Sequence, residues 1–367
     1  MSNKVILINS LCAGGAERVV SQICDKKGDT IIQIWDDKFY NIDEAKVLAL
    51  LDAKGVVFFD LFIAAYKLYL YIKRNNIKSI NSHLFWSNYL NVFISIFTGH
   101  ESICTHCVSF ESKFSRINIT RFFHSIFMKV LVQRASIHTY KSLDMMKEYE
   151  RNFKFKNGKV IYNPYNFERC FSLSDDNINN FYFRRDRIYL LCVGRFHKTK
   201  NQQACLEILA HLPVNYEIIF LGDGDTILNV KSYAKNLGVD KRCFFLGNVR
   251  NPFYFYRNCK YYISMSTSEG FPNSLIEAIS FGCYPFVYDC KTGPKEILSS
   301  LYTKEAIYLN SCVEQYELGT LITRDEYYDI AKIIEKVNIN EIIVNNECAK
   351  SLISNLNSYT IKKCYDF

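Results

Sequence analysis

The chain has 367 residues, 49% of them hydrophobic and 15% aromatic, with a net charge of +8. That length exceeds what one hydrophobic core organises, so two domains are expected, and the apolar content excludes a disordered chain. Fourteen cysteines scattered through apolar segments without framework spacing argue against a disulfide scaffold and for a reducing cytoplasm. The 37 acidic residues weigh against a nucleic-acid partner. No apolar run approaches the length of a membrane-spanning helix, and the N-terminal MSNKVILINSLCAGG reads as a buried first strand rather than a signal peptide.

In chain order, KVILIN, TIIQIW, IKSINS, SICTHC and GKVIYN predict short buried strands. Helical patterns over 17–24, 60–74, 87–97, 117–134 and 143–149 separate them, an alternation that predicts a parallel doubly wound sheet. Gly14 and Gly15 follow the first strand and open a helix, which suits either a tight turn or a close approach to a phosphate. His106 lies at the end of the strand SICTHC and His83 directly follows IKSINS; a strand-end histidine is either packing or a ligand contact. Cys104, His106 and Cys107 could suggest zinc, but neighbouring strand residues point to opposite faces and no second ligand pair is evident, so zinc is not expected. Residues 112–134 carry Lys113, Arg116, Arg121, Lys129 and Arg134 among aromatics with no acid. This is either a core helix with a basic outer face or an amphipathic helix for an anionic membrane surface.

After Asn163 and Pro164 the composition turns polar, giving an expected organisation of domain 1–165, linker 166–186, domain 187–346 and C-terminal helices over 347–367 packing back on the first domain. IYLLCVG, YEIIFLG, RCFFLGN, KYYISMS and YPFVYD then predict a second strand series. Ligands of doubly wound sheets bind in the loops beyond the strands' carboxyl ends. In the loop after IYLLCVG, Arg195 and Lys200 are close enough in sequence to meet one diphosphate. The stretch SEGFPNSLIEAISFGCYP sets Glu269 in a loop and Glu277 in a short helix stopped by Gly282. Ser274 and Glu277 match a capping box, or else Glu277 is free to hold paired hydroxyls. Asp223 and Asp225 form a D-x-D pair of the kind that chelates metals.

These pieces together resemble the retaining family-4 glycosyltransferases of GT-B architecture: GGAERV, VGR with Lys200 five residues on, LGDGD, FLGNV, and the glutamate pair Glu269 and Glu277 in that order. The resemblance covers most of the chain, with residues 30–80 and 110–160 hardly matched. It implies two Rossmann-like α/β domains facing each other across a cleft. It also implies transfer of a hexose or N-acetylhexosamine from a nucleotide diphosphate sugar, UDP being favoured, with retention by a front-face reaction. By the same resemblance Glu277 holds the donor ribose and Glu269 and His106 face the transferred sugar. Arg195, Lys200 and the backbone at Asn273, Ser274 and Leu275 bind the diphosphate, Gly14 and Gly15 approach it, and Asn248 and Val249 lie by the base. With two cations at the diphosphate no essential metal or other cofactor is expected. A lipid-linked saccharide is the expected acceptor, reached from the cytoplasmic face of the inner membrane through 112–134. Two other readings stay open. Asp36 and Asp37, about twenty residues after Gly15, would suit an NAD-dependent oxidoreductase or epimerase, although the glycine spacing is not G-x-G-x-x-G. A non-catalytic nucleotide-sugar-binding subunit is the other.

Overall fold

The computed structural model describes residues 5–12, 14–24, 27–39, 42, 45–176, 181–299, 307–310, 312–337, 346–357 and 361. The chain divides into two compact units, Met1–Tyr165 with Leu356–Phe367, and Asn166–Asn355. The first holds seven parallel strands: β1 (Val5–Ile8), β2 (Thr30–Trp35), β3 (Lys46–Leu51), β4 (Ser79–His83), β5 (Glu101–His106), β6 (Ile137–Tyr140) and β7 (Gly158–Val160). Their order is β3-β2-β1-β4-β5-β6-β7. Every residue of β2 is buried, as its run of β-branched side chains dictates for a strand covered on both faces. Two strands escape the sequence pattern. β3 is a half-exposed edge, and β6 reads IHTY, with two polar residues in four.

Three helices of this unit, Val57–Asn75, Phe85–Thr98 and Ile119–Val130, join β3 to β4, β4 to β5 and β5 to β6. The crossovers all step in one direction, and right-handed crossovers therefore put the three helices on one face of the sheet. The middle helix shares its core with both neighbours. Leu90 and Ile94 pack with Ala64, Leu68 and Ile72, while Tyr89 and Val92 pack with Met128.

The second unit holds β8 (Ile188–Val193), β9 (Tyr216–Leu221), β10 (Cys243–Phe245), β11 (Tyr261–Ser264), β12 (Tyr284–Tyr288), β13 (Ile307–Asn310), β14 (Val313–Tyr316) and β15 (Gly319–Ile322). Their order is β10-β9-β8-β11-β12-β15-β14-β13, parallel as far as β15 and antiparallel beyond it. Two Rossmann-like α/β units are thus present, as the alternating pattern predicts.

The boundaries differ from the expected ones. Residues 166–186 are not a linker but the start of the second unit, and Phe167–Leu173 is helical. Polar side chains tie this segment down: Asn166 caps its helix, Asn251 Nδ2 donates to the Leu173 carbonyl at 2.6 Å, and Arg257 donates to Ser174 Oγ at 3.0 Å. Residues 177–180 lie outside the described residues. At the other end the helix Asn346–Leu356 belongs to the second unit up to Asn355. The return to the first unit therefore begins at Leu356, whose carbonyl accepts from the Tyr165 amide at 3.1 Å, and Ile361 enters that unit's core. Of the helices expected over 347–367, residues 358–360 and 362–367 lie outside the described residues.

Candidate functional site

The second sheet reverses its order between β8 and β11, and such a switch point opens a crevice beyond the strands' carboxyl ends. The loop after β8 carries Arg195 and Lys200, and the loop after β11 carries Glu269. Across the switch point Lys200 Nζ meets Glu269 Oε1 at 2.5 Å. The backbone holds the two loops together: the Thr267 amide donates to the Thr199 carbonyl at 2.8 Å, and Ser266 Oγ donates to the same oxygen at 3.2 Å. Thr292 Oγ1 fixes the far side of the second loop by donating to the Glu269 carbonyl. Arg195 is exposed, and its own carbonyl accepts from Gln202 Nε2 at 3.1 Å.

The glycines of LGDGD explain why these loops stack so tightly. A Cβ on Gly222 would lie 2.2 Å from the Gly194 carbonyl oxygen, and one on Gly224 would lie 2.4 Å from that of Phe196. Both have positive φ, at 132° and 150°, so only glycine fits. The Gly222 amide then donates to the Gly247 carbonyl at 2.7 Å. That bond brings Asn248, exposed, and Val249, half-buried, beside the same group of loops. Asp223 and Asp225 are both exposed, and one Asp223 carboxylate oxygen accepts from the Gly224 amide at 2.8 Å.

The helix Asn273–Ser280 completes the arrangement. Pro272 precedes it and no side chain caps it. Ser274 is its second residue, and its hydroxyl pairs with Tyr262 Oη at 2.8 Å. The capping box matched in the sequence is therefore not formed, because the N-cap is Pro272, two residues before Ser274. The amides of Asn273 and Ser274 stand at the tip, while that of Leu275 donates to the Pro272 carbonyl at 3.2 Å. The helix closes as expected: Gly282 has φ 80°, its amide reaches the Ile279 carbonyl, and the Cys283 amide reaches that of Ala278. Glu277 is 3% exposed on the buried face of this helix. Glu269, Pro272, Leu275, Tyr262, Ser264 and Ser266 line one small recess beside the start of this helix. The nearby Cys290 thiol is pushed up to about 12 by burial and stays protonated. The structure thus brings Arg195, Lys200, Glu269, Asn273, Ser274, Leu275 and Glu277 to one edge of the second sheet. An ammonium, a guanidinium and an uncapped helix start suit an anion of two phosphates, and a carboxylate beside them suits sugar hydroxyls.

The first unit has its own switch point, between β1 and β4. Gly14 lies there as the extended N-cap residue of Gly15–Ile23, which lacks a side-chain cap. His83 at the end of β4 is fully enclosed, with Nδ1 3.7 Å from Cys107 Sγ. Burial, and then the charge of Lys141, hold its imidazole well below its ordinary range, so it is neutral. Lys141, just past β6, is 2% exposed, and burial draws its amine down to about 8. The sequence reading passed over this lysine; a strand-end cation followed by a helix-capping serine is the signal it offered.

The structure places His106 inside the first unit rather than at an open surface. It is 2% exposed, its Nε2 pairs with His138 Nδ1 at 3.2 Å, and its ring stacks on Tyr140 and Phe155. The alternation of β5 turns this residue toward the aromatic core, where burial and the neighbouring His138 keep it neutral. A ring so enclosed has no open face for a sugar.

Residues 174–342 match the family described as glycosyl transferases group 1. A Campylobacter jejuni N-acetylgalactosamine-N,N'-diacetylbacillosaminyl-diphospho-undecaprenol 4-alpha-N-acetylgalactosaminyltransferase is 25% identical over 80% of this chain and 82% of its own length. A second C. jejuni enzyme, an alpha-1,4-N-acetyl-D-galactosaminyltransferase that acts on a diNAcBac-PP-undecaprenol-linked saccharide, is 24% identical over 93% and 91%. Among solved structures, Anabaena HepE in complex with UDP-glucose superposes with a TM-score of 0.78 at 15% identity, over 99% of this chain and 98% of that one.

Proposed function

We propose that this chain, of GT-B fold and matching the glycosyl transferases group 1 family over residues 174–342, is a retaining glycosyltransferase. It moves a hexose or N-acetylhexosamine from a nucleotide diphosphate sugar, UDP in first place, to a lipid-linked saccharide. The observation that carries the reading is the Lys200–Glu269 pair at the second switch point, beside an uncapped helix and the exposed Arg195. Arg195, Lys200 and the amides at Asn273 and Ser274 bind the diphosphate, Glu277 the ribose, Asn248 and Val249 the base. Gly14 and Gly15 offer a bare backbone for close approach to the phosphates. HepE supports UDP as the nucleotide, and the two C. jejuni transferases support an N-acetylhexosamine and a polyprenyl-diphosphate acceptor.

The chemistry follows from where charge grows. As the bond from the anomeric carbon to the diphosphate oxygen breaks, negative charge accumulates on the departing diphosphate, and Arg195 and Lys200 stabilise it. An acceptor hydroxyl attacks from the same face and loses its proton to a phosphate oxygen of the leaving group, so no enzyme base is required. Two fixed cations supply the role that a divalent metal otherwise fills, and the reaction proceeds without one. Without donor, Glu269 neutralises Lys200; when the diphosphate binds it takes over the ammonium and frees the carboxylate for the sugar's hydroxyls.

Incubation with a panel of nucleotide sugars and a chelator tests this. Turnover of a UDP-sugar is expected to persist with the chelator present. Glu269→Gln is expected to lower turnover by about 100-fold or more while UDP itself binds as tightly or more tightly, because the competing carboxylate is gone. Binding of no nucleotide sugar, or full turnover in Glu269→Gln, overturns the proposal.

A further inference from the structure

The outer surface of the three-helix layer in the first unit is apolar where a water-facing layer should be polar. On Val57–Asn75, Phe59, Phe62 and Tyr66 share one helical face and are 71%, 79% and 64% exposed. The middle helix adds Phe93 and Phe97, 45% and 58% exposed and in edge contact at 5.3 Å. The third helix adds Phe122 at 59%. Because the middle helix shares core residues with both neighbours, these faces adjoin and make one apolar surface. A patch spanning three helices is larger than soluble monomers expose without a use for it.

The polar groups around this surface identify its occupant. Its flank, residues 112–134, contains no acid and exposes Lys113, Arg116, Lys129 and Arg134. Lys73 and Arg74 are exposed at the end of the first helix. Arg121 is set apart from these cations, since its guanidinium donates to the Phe114 carbonyl at 2.6 Å and lies over the Phe110 ring. We infer that the three-helix face is a platform that seats on an anionic phospholipid bilayer, with aromatic side chains at the boundary of headgroups and acyl chains and the basic flank on lipid phosphates. A second copy of the chain is a poorer occupant, because a two-fold contact sets each cationic flank against its own kind. No described helix is long and apolar enough to cross the membrane, so the platform lies on the surface. The inference deepens the proposed use of a lipid-linked acceptor: the platform seats the enzyme on the surface that carries that acceptor.

Flotation of the full chain with vesicles of phosphatidylcholine, with and without phosphatidylglycerol, at low and high salt is the test. The wild-type protein binds the anionic vesicles, and high salt releases only part of it, since apolar burial is not screened. Combining Phe62→Glu with Phe97→Glu weakens binding at both salts by about tenfold or more. Combining Arg116→Glu with Lys129→Glu removes the preference for anionic over neutral vesicles. UDP binding stays unchanged in both variants, so failure of the platform and failure of the donor assignment are separate results. Vesicle binding of the phenylalanine variant equal to wild type overturns the inference. So does a wild-type dimer that this variant converts to monomer while neither protein binds vesicles.

Discussion

At the scale of single residues, type and position in the sequence reveal the chemistry only where backbone geometry leaves the side chain accessible. Lys200 and Glu269 lie in loops beyond strand ends, and the fold brings them into contact across 69 positions of sequence. His106 has the same strand-end signature, yet it packs among His138, Tyr140 and Phe155. A catalytic histidine and a core histidine differ in which face of the strand they occupy, and a strand of mixed sequence that is buried on both faces, as β5 is from Ser102 on, does not encode that. His106→Ala should therefore cost on the order of 3 kcal/mol in urea unfolding through the cavity it leaves, while kcat/KM of the folded protein stays within about threefold. A large loss of turnover at unchanged stability would return this histidine to the reacting centre.

At the scale of elements, the loops after β8, β9 and β10 form one stack whose spacing is set by missing side chains. Gly222→Ala puts a methyl group 2.2 Å from the Gly194 carbonyl oxygen at a φ of 132°, so the loop carrying Arg195 and Lys200 must shift. The variant should lose about 1–3 kcal/mol of stability and bind UDP more weakly, as titration calorimetry would show; wild-type affinity would mean that the stack does not position the cations. Much of this scale was legible beforehand. Strands β1, β2, β8, β9, β11 and β12 follow apolar runs that only a buried strand explains, and the helix stop at Gly282 forms as its sequence dictates. That the capping box would fail was not legible, because the N-cap falls at Pro272, two residues early, and Ser274 finds Tyr262 instead. Strands β3 and β13–β15, four to six residues each, were missed as well, because runs this short do not separate strand from helix by periodicity.

At the scale of the molecule, the two units carry different electrostatic loads. The first encloses His83, His100, His106 and His138 as neutral rings, with His100 and His138 drawn down to about 4 by burial. Above the ordinary histidine value of 6.5 these rings are neutral whether the chain is folded or not, and they leave stability unaffected. As pH falls from 6.5 toward 4 the unfolded chain takes up protons that the folded one refuses, so stability declines, by up to about 1.4 kcal/mol per pH unit for each such histidine. Thermal melts between pH 7.5 and 4.5 should show Tm roughly flat above 6.5 and falling steadily below it. A flat profile throughout would mean that the rings charge freely in the folded state. The basic flank at 112–134 was visible in the sequence, whereas the apolar surface beside it was not. Phe62 and Phe97 read as ordinary helix residues until the crossovers place their helices side by side. The proposed function rests on the second unit, where a guanidinium and an ammonium at the switch point suit a diphosphate. Calorimetric titration of UDP into the wild-type protein, Arg195→Ala and Lys200→Ala tests it most directly. Loss of either charge-assisted contact should weaken binding by roughly ten- to a hundredfold, and an unchanged Kd in both variants would contradict the account.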